Sequence, residues 1–127
     1  MTPNEFAQWK AALMFALFLL FLTALAFTQT PPPSILVDYK CTGVSGNHPY
    51  KTELVIKQQE GNYFLNWNDG NQGMGFRKGD QLVVVFVTQK GGLGVVLYSI
   101  TPGRLEGLWA AGDGQIYPET CMAGIPA

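Results

Sequence analysis

The chain has 127 residues and a formal net charge of −1, and only 13% of its residues are charged. Beyond residue 30, seven Lys or Arg stand against eight Asp or Glu with no basic block, which argues against a nucleic-acid partner. Aromatic content of 13% is too high for a disordered segment, and the residues after the leader are enough for one small domain and not two.

The chain begins Thr2-Pro3-Asn4-Glu5, a capping-box pattern with Pro at the first helical position. Ala11 to Phe27 follows as an uncharged apolar run. Seventeen residues at 1.5 Å each fall short of a hydrocarbon core of about 30 Å. The flanks make up the difference, because the helix starts near Pro3 and Pro31-Pro32-Pro33 stops it soon after Phe27. The spacing therefore predicts a single transmembrane helix over residues 1–29. Phe6 and Trp9 would lie at the interface. Cleavage after Ala24-Leu25-Ala26 is the alternative, and the weakly basic n-region favours a retained anchor. Lys10 precedes the run, so either way the N-terminus is expected in the cytoplasm of a bacterial cell. The rest is expected in the periplasm, held at the inner membrane if the anchor stays. Ala12, Ala16, Thr23 and Ala26 fall near one stripe of the helix, where small residues would let another helix approach closely.

Residues 30–34 form a stiff Pro-rich spacer. From Ile35 the pattern has period two: Ile35, Val37, Tyr39 and Cys41, then Tyr50, Thr52, Leu54 and Ile56, then Tyr63, Leu65 and Trp67. Turn residues separate these runs, among them Ser45-Gly46-Asn47, Glu60-Gly61-Asn62 and Lys78-Gly79-Asp80. Gln81 to Val87 and Leu93 to Ile100 are apolar on both faces, with Gly91-Gly92 between them. Arg104 to Ala110 and Gln115 to Met122 complete eight short strands. The expected fold over residues 35–127 is mainly β: a small antiparallel eight-stranded meander barrel, or a tight sandwich.

Cys41 lies in the first strand and Cys121 in the last. An even cysteine count in an exported domain suggests a disulfide, and barrel closure would bring these two strands together. No catalytic, metal-binding or cofactor-binding constellation stands out. The only histidine is His48, the spacings CxxC and HxxxH are absent, and Ser34, Ser45 and Ser99 lack a nucleophile-elbow setting. The acidic residues, Glu119 included, read as solvated or turn positions. Tyr39, Tyr50, Trp67, Tyr98 and Trp109 either fill the barrel or line a ligand cavity. The narrow interior of eight strands favours filling.

The order Tyr39-x-Cys41-x-Gly43, Tyr63, Trp67, Gly73-x-Gly75 and Tyr98-x-Ile100-x-x-Gly103-x-Leu105-x-Gly107-x-Trp109, with Glu119 near the end, resembles a family of small exported bacterial domains. They are often labelled fibronectin-binding protein-like. The resemblance spans most of residues 38–122 and implies an exported all-β module. It departs at Gly103-Arg104-Leu105, where the family more often has an acidic residue, glycine and another residue before the leucine. The binding label of that family is not carried over. A second similarity is to small-barrel periplasmic lysozyme inhibitors, through the Tyr-x-Cys start and the terminal cysteine. The chain lacks a counterpart of their serine-glycine loop.

The expected function is that of a non-enzymatic, membrane-anchored accessory subunit of a larger membrane complex, photosynthetic or respiratory. Its partners would be other membrane protein subunits and the lipid bilayer. The alternatives are a free periplasmic binder or inhibitor, and a small-ligand barrel. Docking is expected on the outer face of the Gln81 to Ile100 hairpin. Leu82, Val84 and Phe86 fill the barrel, so Val83, Val85 and Val87 point outward. Leu93, Val95 and Leu97 are read as facing in, which leaves Val96, Tyr98 and Ile100 outward, an apolar set of a size that marks interaction sites.

Overall fold

A computed structural model describes residues 31–124. The capping box, the apolar run and the stripe of Ala12, Ala16, Thr23 and Ala26 lie outside the described residues. Eight strands follow one another: β1 (Asp38–Ser45), β2 (His48–Gln59), β3 (Asn62–Trp67), β4 (Gln72–Lys78), β5 (Gln81–Val87), β6 (Leu93–Thr101), β7 (Arg104–Ala110) and β8 (Ile116–Ala123). Each pairs antiparallel with the next, and β8 pairs with β1, so the sheet is a closed barrel rather than a sandwich. Closure leaves no edge strand among the described residues for another chain to extend.

The tight turns follow from local sequence. At Glu60-Gly61 both residues have positive φ, 52° and 88°, and they join the directly paired Gln59 and Asn62. Two such residues give a turn whose twist matches the flanking strands. The alternation seen in the sequence becomes an inside and an outside. Leu54, Ile56, Leu65, Leu82, Val84, Val96, Ile100 and Leu105 are buried, each contributing about 1.5–3 kcal/mol of apolar burial.

Glycine makes room for the large rings. Gly43 lies directly across the ladder from Tyr50, Gly94 from Phe86, and Gly107 from Tyr98. A methyl group at Gly94 would run into the Phe86 ring, and one at Gly107 would come within 2.7 Å of Tyr98. The inner wall thus alternates aromatic and glycine, which lets an eight-stranded barrel hold bulky rings without over-packing.

The barrel has two different ends. Ile35 precedes β1 instead of belonging to it, and it is buried in the core. Arg77, at the end of β4, donates from Nη1 to the Pro33 carbonyl (2.6 Å) and from Nε to the Gly79 carbonyl (2.8 Å). The incoming chain is thereby fastened to the end that carries the β2–β3, β4–β5 and β6–β7 turns. The β1–β2, β3–β4, β5–β6 and β7–β8 connections cluster at the other end.

The β5–β6 hairpin corrects one expectation. Val96, Tyr98 and Ile100 face the interior, and Leu93, Val95 and Leu97 face out. The connection is five residues, Thr88 to Gly92, and Val87 pairs directly with Leu93. Directly opposed residues share a face, so the outward Val87 makes Leu93 outward too. Val85 and Val87 are exposed as expected, and Val83 is half-buried.

Candidate functional site

Within the barrel one polar group stands out. Glu119 of β8 is only 5% exposed. Period two places it there: Cys121 must point inward to meet Cys41, and Glu119 is two residues earlier on the same face. Cys41 and Cys121 are directly paired across the β1–β8 seam and form a disulfide. Tyr50 donates its hydroxyl to Glu119 Oε1 (3.0 Å), and Tyr98 donates a short hydrogen bond to Oε2. Burial pushes the Glu119 carboxyl above its ordinary range, opposed by the Tyr98 and Tyr50 hydrogen bonds, which favour the ionised form. Burial and the neighbouring carboxylate push both phenols up, so they remain donors.

Above this triad the barrel is open. A cavity of about 360 Å³ runs from Glu119, Tyr50 and Tyr98 to the mouth at Ser45, Asp69, Thr88 and Ala111. Its walls are Trp67, Phe86 and Trp109, with Val96 between. The rings meet edge to face: Trp67 and Phe86 at 5.9 Å, Phe86 and Trp109 at 6.3 Å, Tyr50 and Trp109 at 6.4 Å. Such geometry fixes each ring by its neighbours. Among the described residues the buried Trp109 indole nitrogen has no hydrogen-bond partner.

The mouth is built by loop hydrogen bonds. Asn68 Oδ1 accepts from the Thr52 hydroxyl (2.7 Å) and from the Glu53 amide (2.9 Å), which pins the β3–β4 loop. Asp69 Oδ1 accepts from the Asn71 amide (3.0 Å), and Asn71 Oδ1 accepts from the Gln89 amide (3.3 Å). The β3–β4 and β5–β6 loops are therefore tied together at the rim.

The five aromatics of the sequence divide. Tyr50, Trp67, Tyr98 and Trp109 line the cavity, while Tyr39 is core. Phe86 joins the wall. Tyr98, expected on the docking face, is instead a buried partner of Glu119, and Val96 lines the cavity. Glu119 is the residue that sequence reasoning left among solvated carboxylates. The signal for it was its parity with Cys121. Cys41, Glu119 and Cys121 bring ligand-type atoms within 4.8 Å of one another, but both sulfurs are spent in the disulfide, so this trio does not make a metal cage.

The outer wall carries a second feature. Directly opposed residues form a row, Met74, Val85, Val95, Ala110 and Ile116, across β4 to β8. Phe76, Val83, Leu97 and Leu108 form a parallel row. Phe76 is 56% exposed and Val85 53%. By contrast, the outward positions of β1 and β2 include Lys40, Thr42, Lys51, Glu53 and Lys57.

No family model matches this chain, and no curated protein or solved structure is detectably similar to it.

Proposed function

We propose that this chain is a non-enzymatic, exported, membrane-tethered binding protein that holds a small ligand in the mouth of its barrel. The observation that carries the reading is the cavity of about 360 Å³, walled by aromatic rings and floored by a buried carboxylate. Binding cavities are typically 300–1,000 Å³, mostly apolar, with a few convergent polar groups. The apolar run at Ala11 to Phe27 supports tethering, and the disulfide supports an oxidising compartment.

The test is native mass spectrometry of the full chain taken from its own membrane in mild detergent. A bound small molecule is expected on the wild-type protein and should disappear in Ala111→Trp, which fills the mouth without touching the buried core. An adduct that survives Ala111→Trp would place binding elsewhere.

A second reading, an accessory subunit of a membrane complex, is favoured by the two apolar rows on β4 to β8. Exposed patches of this kind tend to mark protein contacts. Val85→Lys should then fold normally and lose co-purifying membrane subunits, since a charge is costly in a desolvated contact. Unchanged co-purification would remove the outer face from consideration.

A further inference from the structure

We infer that the barrel mouth selects a small organic cation, an ammonium held against the aromatic rings with its charge facing Glu119. This rests on the ligand-binding reading above and names the class of ligand.

Charge is the first support. Glu119 and Asp69 both line the cavity, and no Lys, Arg or His is among the lining residues. His48 and Lys90 lie in the sequence segments at the same end of the barrel, but neither lines the cavity. A buried carboxylate is normally paired with a positive group. Glu119 instead has two neutral phenols as partners, and each of its oxygens keeps further acceptor capacity. The positive partner it lacks among the described residues is what a cationic ligand supplies.

The walls are the second support. Tyr50, Trp67, Phe86, Tyr98 and Trp109 present ring faces and edges around one small space. Ring faces carry negative potential, and an aromatic enclosure attracts ammonium groups most strongly where water is excluded. The two supports are independent, because the rings would attract a cation even if Glu119 were protonated.

The groups facing Glu119 are Tyr50 from β2, Tyr98 from β6 and Asp69 from the β3–β4 loop. The phenols stay neutral across the accessible range, and Glu119 is the buried carboxylate of the cavity. Cation affinity should rise with pH as the Glu119 carboxyl ionises.

The experiment titrates the full chain in detergent with choline and with its neutral isostere 3,3-dimethylbutan-1-ol, read by Trp67 and Trp109 fluorescence. Choline is expected to bind at least about tenfold more tightly than the alcohol. Glu119→Gln should reduce that preference to the part the rings supply and remove its pH dependence, with the melting temperature of the variant checked in parallel. Trp109→Leu offers a second route and should weaken choline by a similar factor, leaving Glu119 in place. Equal binding of choline and the alcohol, both abolished by Ala111→Trp, would overturn the cation and leave the ligand cup intact. Absence of choline binding in a folded wild-type protein would also overturn it. The ligand cup itself stands or falls on whether the native adduct survives Ala111→Trp.

Discussion

Reducing the Cys41–Cys121 disulfide should lower the melting temperature of the barrel by about 20 °C. The bond links residues 80 apart in sequence. In the chain-entropy description a cross-link over such a loop restricts the unfolded ensemble by roughly 4.5 kcal/mol at 25 °C. A unit of about 95 residues unfolds with an entropy near 0.2 kcal/mol/K, so the two figures give a shift of about 20 °C. Both sulfurs are buried, so the protein is reduced in denaturant and refolded with dithiothreitol present. Thermal circular dichroism then compares oxidised and reduced samples. Reduction leaves the sulfur atoms in place, so no cavity confuses the comparison. A shift under 5 °C would refute the reasoning, because the β1–β8 hydrogen bonds would then hold the seam without help from the cross-link.

Two further outcomes follow from the interior. Gly94→Ala places a methyl group against the Phe86 ring and should cost about 1–3 kcal/mol, while Gly112→Ala, with open space around it, should leave the melting temperature unchanged; equal effects would refute the ring-and-glycine packing. Glu119 has a raised carboxyl pKa, so between its unfolded value and its folded one the native state holds more protons than the unfolded chain. Stability from this group is therefore greatest at low pH and falls as pH rises through the folded value. Urea unfolding of wild type against Glu119→Gln should show that downward slope only in the wild type, and parallel profiles would count against it.

Much of the fold was legible because antiparallel strands with one wet face write their burial into alternate residues. β2 shows this, with Thr52, Leu54 and Ile56 inward and Lys51, Glu53 and Lys57 outward. The cysteine pairing was legible for the same reason, since both residues sit on the inward phase of terminal strands. In β6 the signal failed. Leu93, Val95 and Leu97 are as apolar as Val96, Tyr98 and Ile100, so hydrophobicity alone gave no phase. Gly94 held the missing information: an inward glycine opposite Phe86 places every even position of β6 inside. Glu119 was missed because composition treats a carboxylate as solvated, although Cys121 two residues on already fixed its face. The cavity was not legible, because whether rings fill a barrel or line it depends on where the glycines fall across the ladder.

Barrel closure has a consequence for the order of assembly. Seven of the eight strand pairings join neighbours in sequence, and one, β1 with β8, joins the ends. The local hairpins need only short loops to close, so they can form before the chain is complete. The seam cannot form until Ala123 is available, because Tyr39 pairs with Ala123 and Gly43 with Glu119. Until then β1 and β7 present unpaired backbone at opposite margins of an incomplete sheet, a state open to pairing with another copy. Zipping of β8 between them ends that exposure, completes the floor of the cavity with Glu119, and brings the two thiols together in a single event. Oxidation of Cys41 and Cys121 would therefore act as a latch that is thrown only after the last strand arrives, so thiol trapping during folding reports directly on when the barrel becomes a barrel.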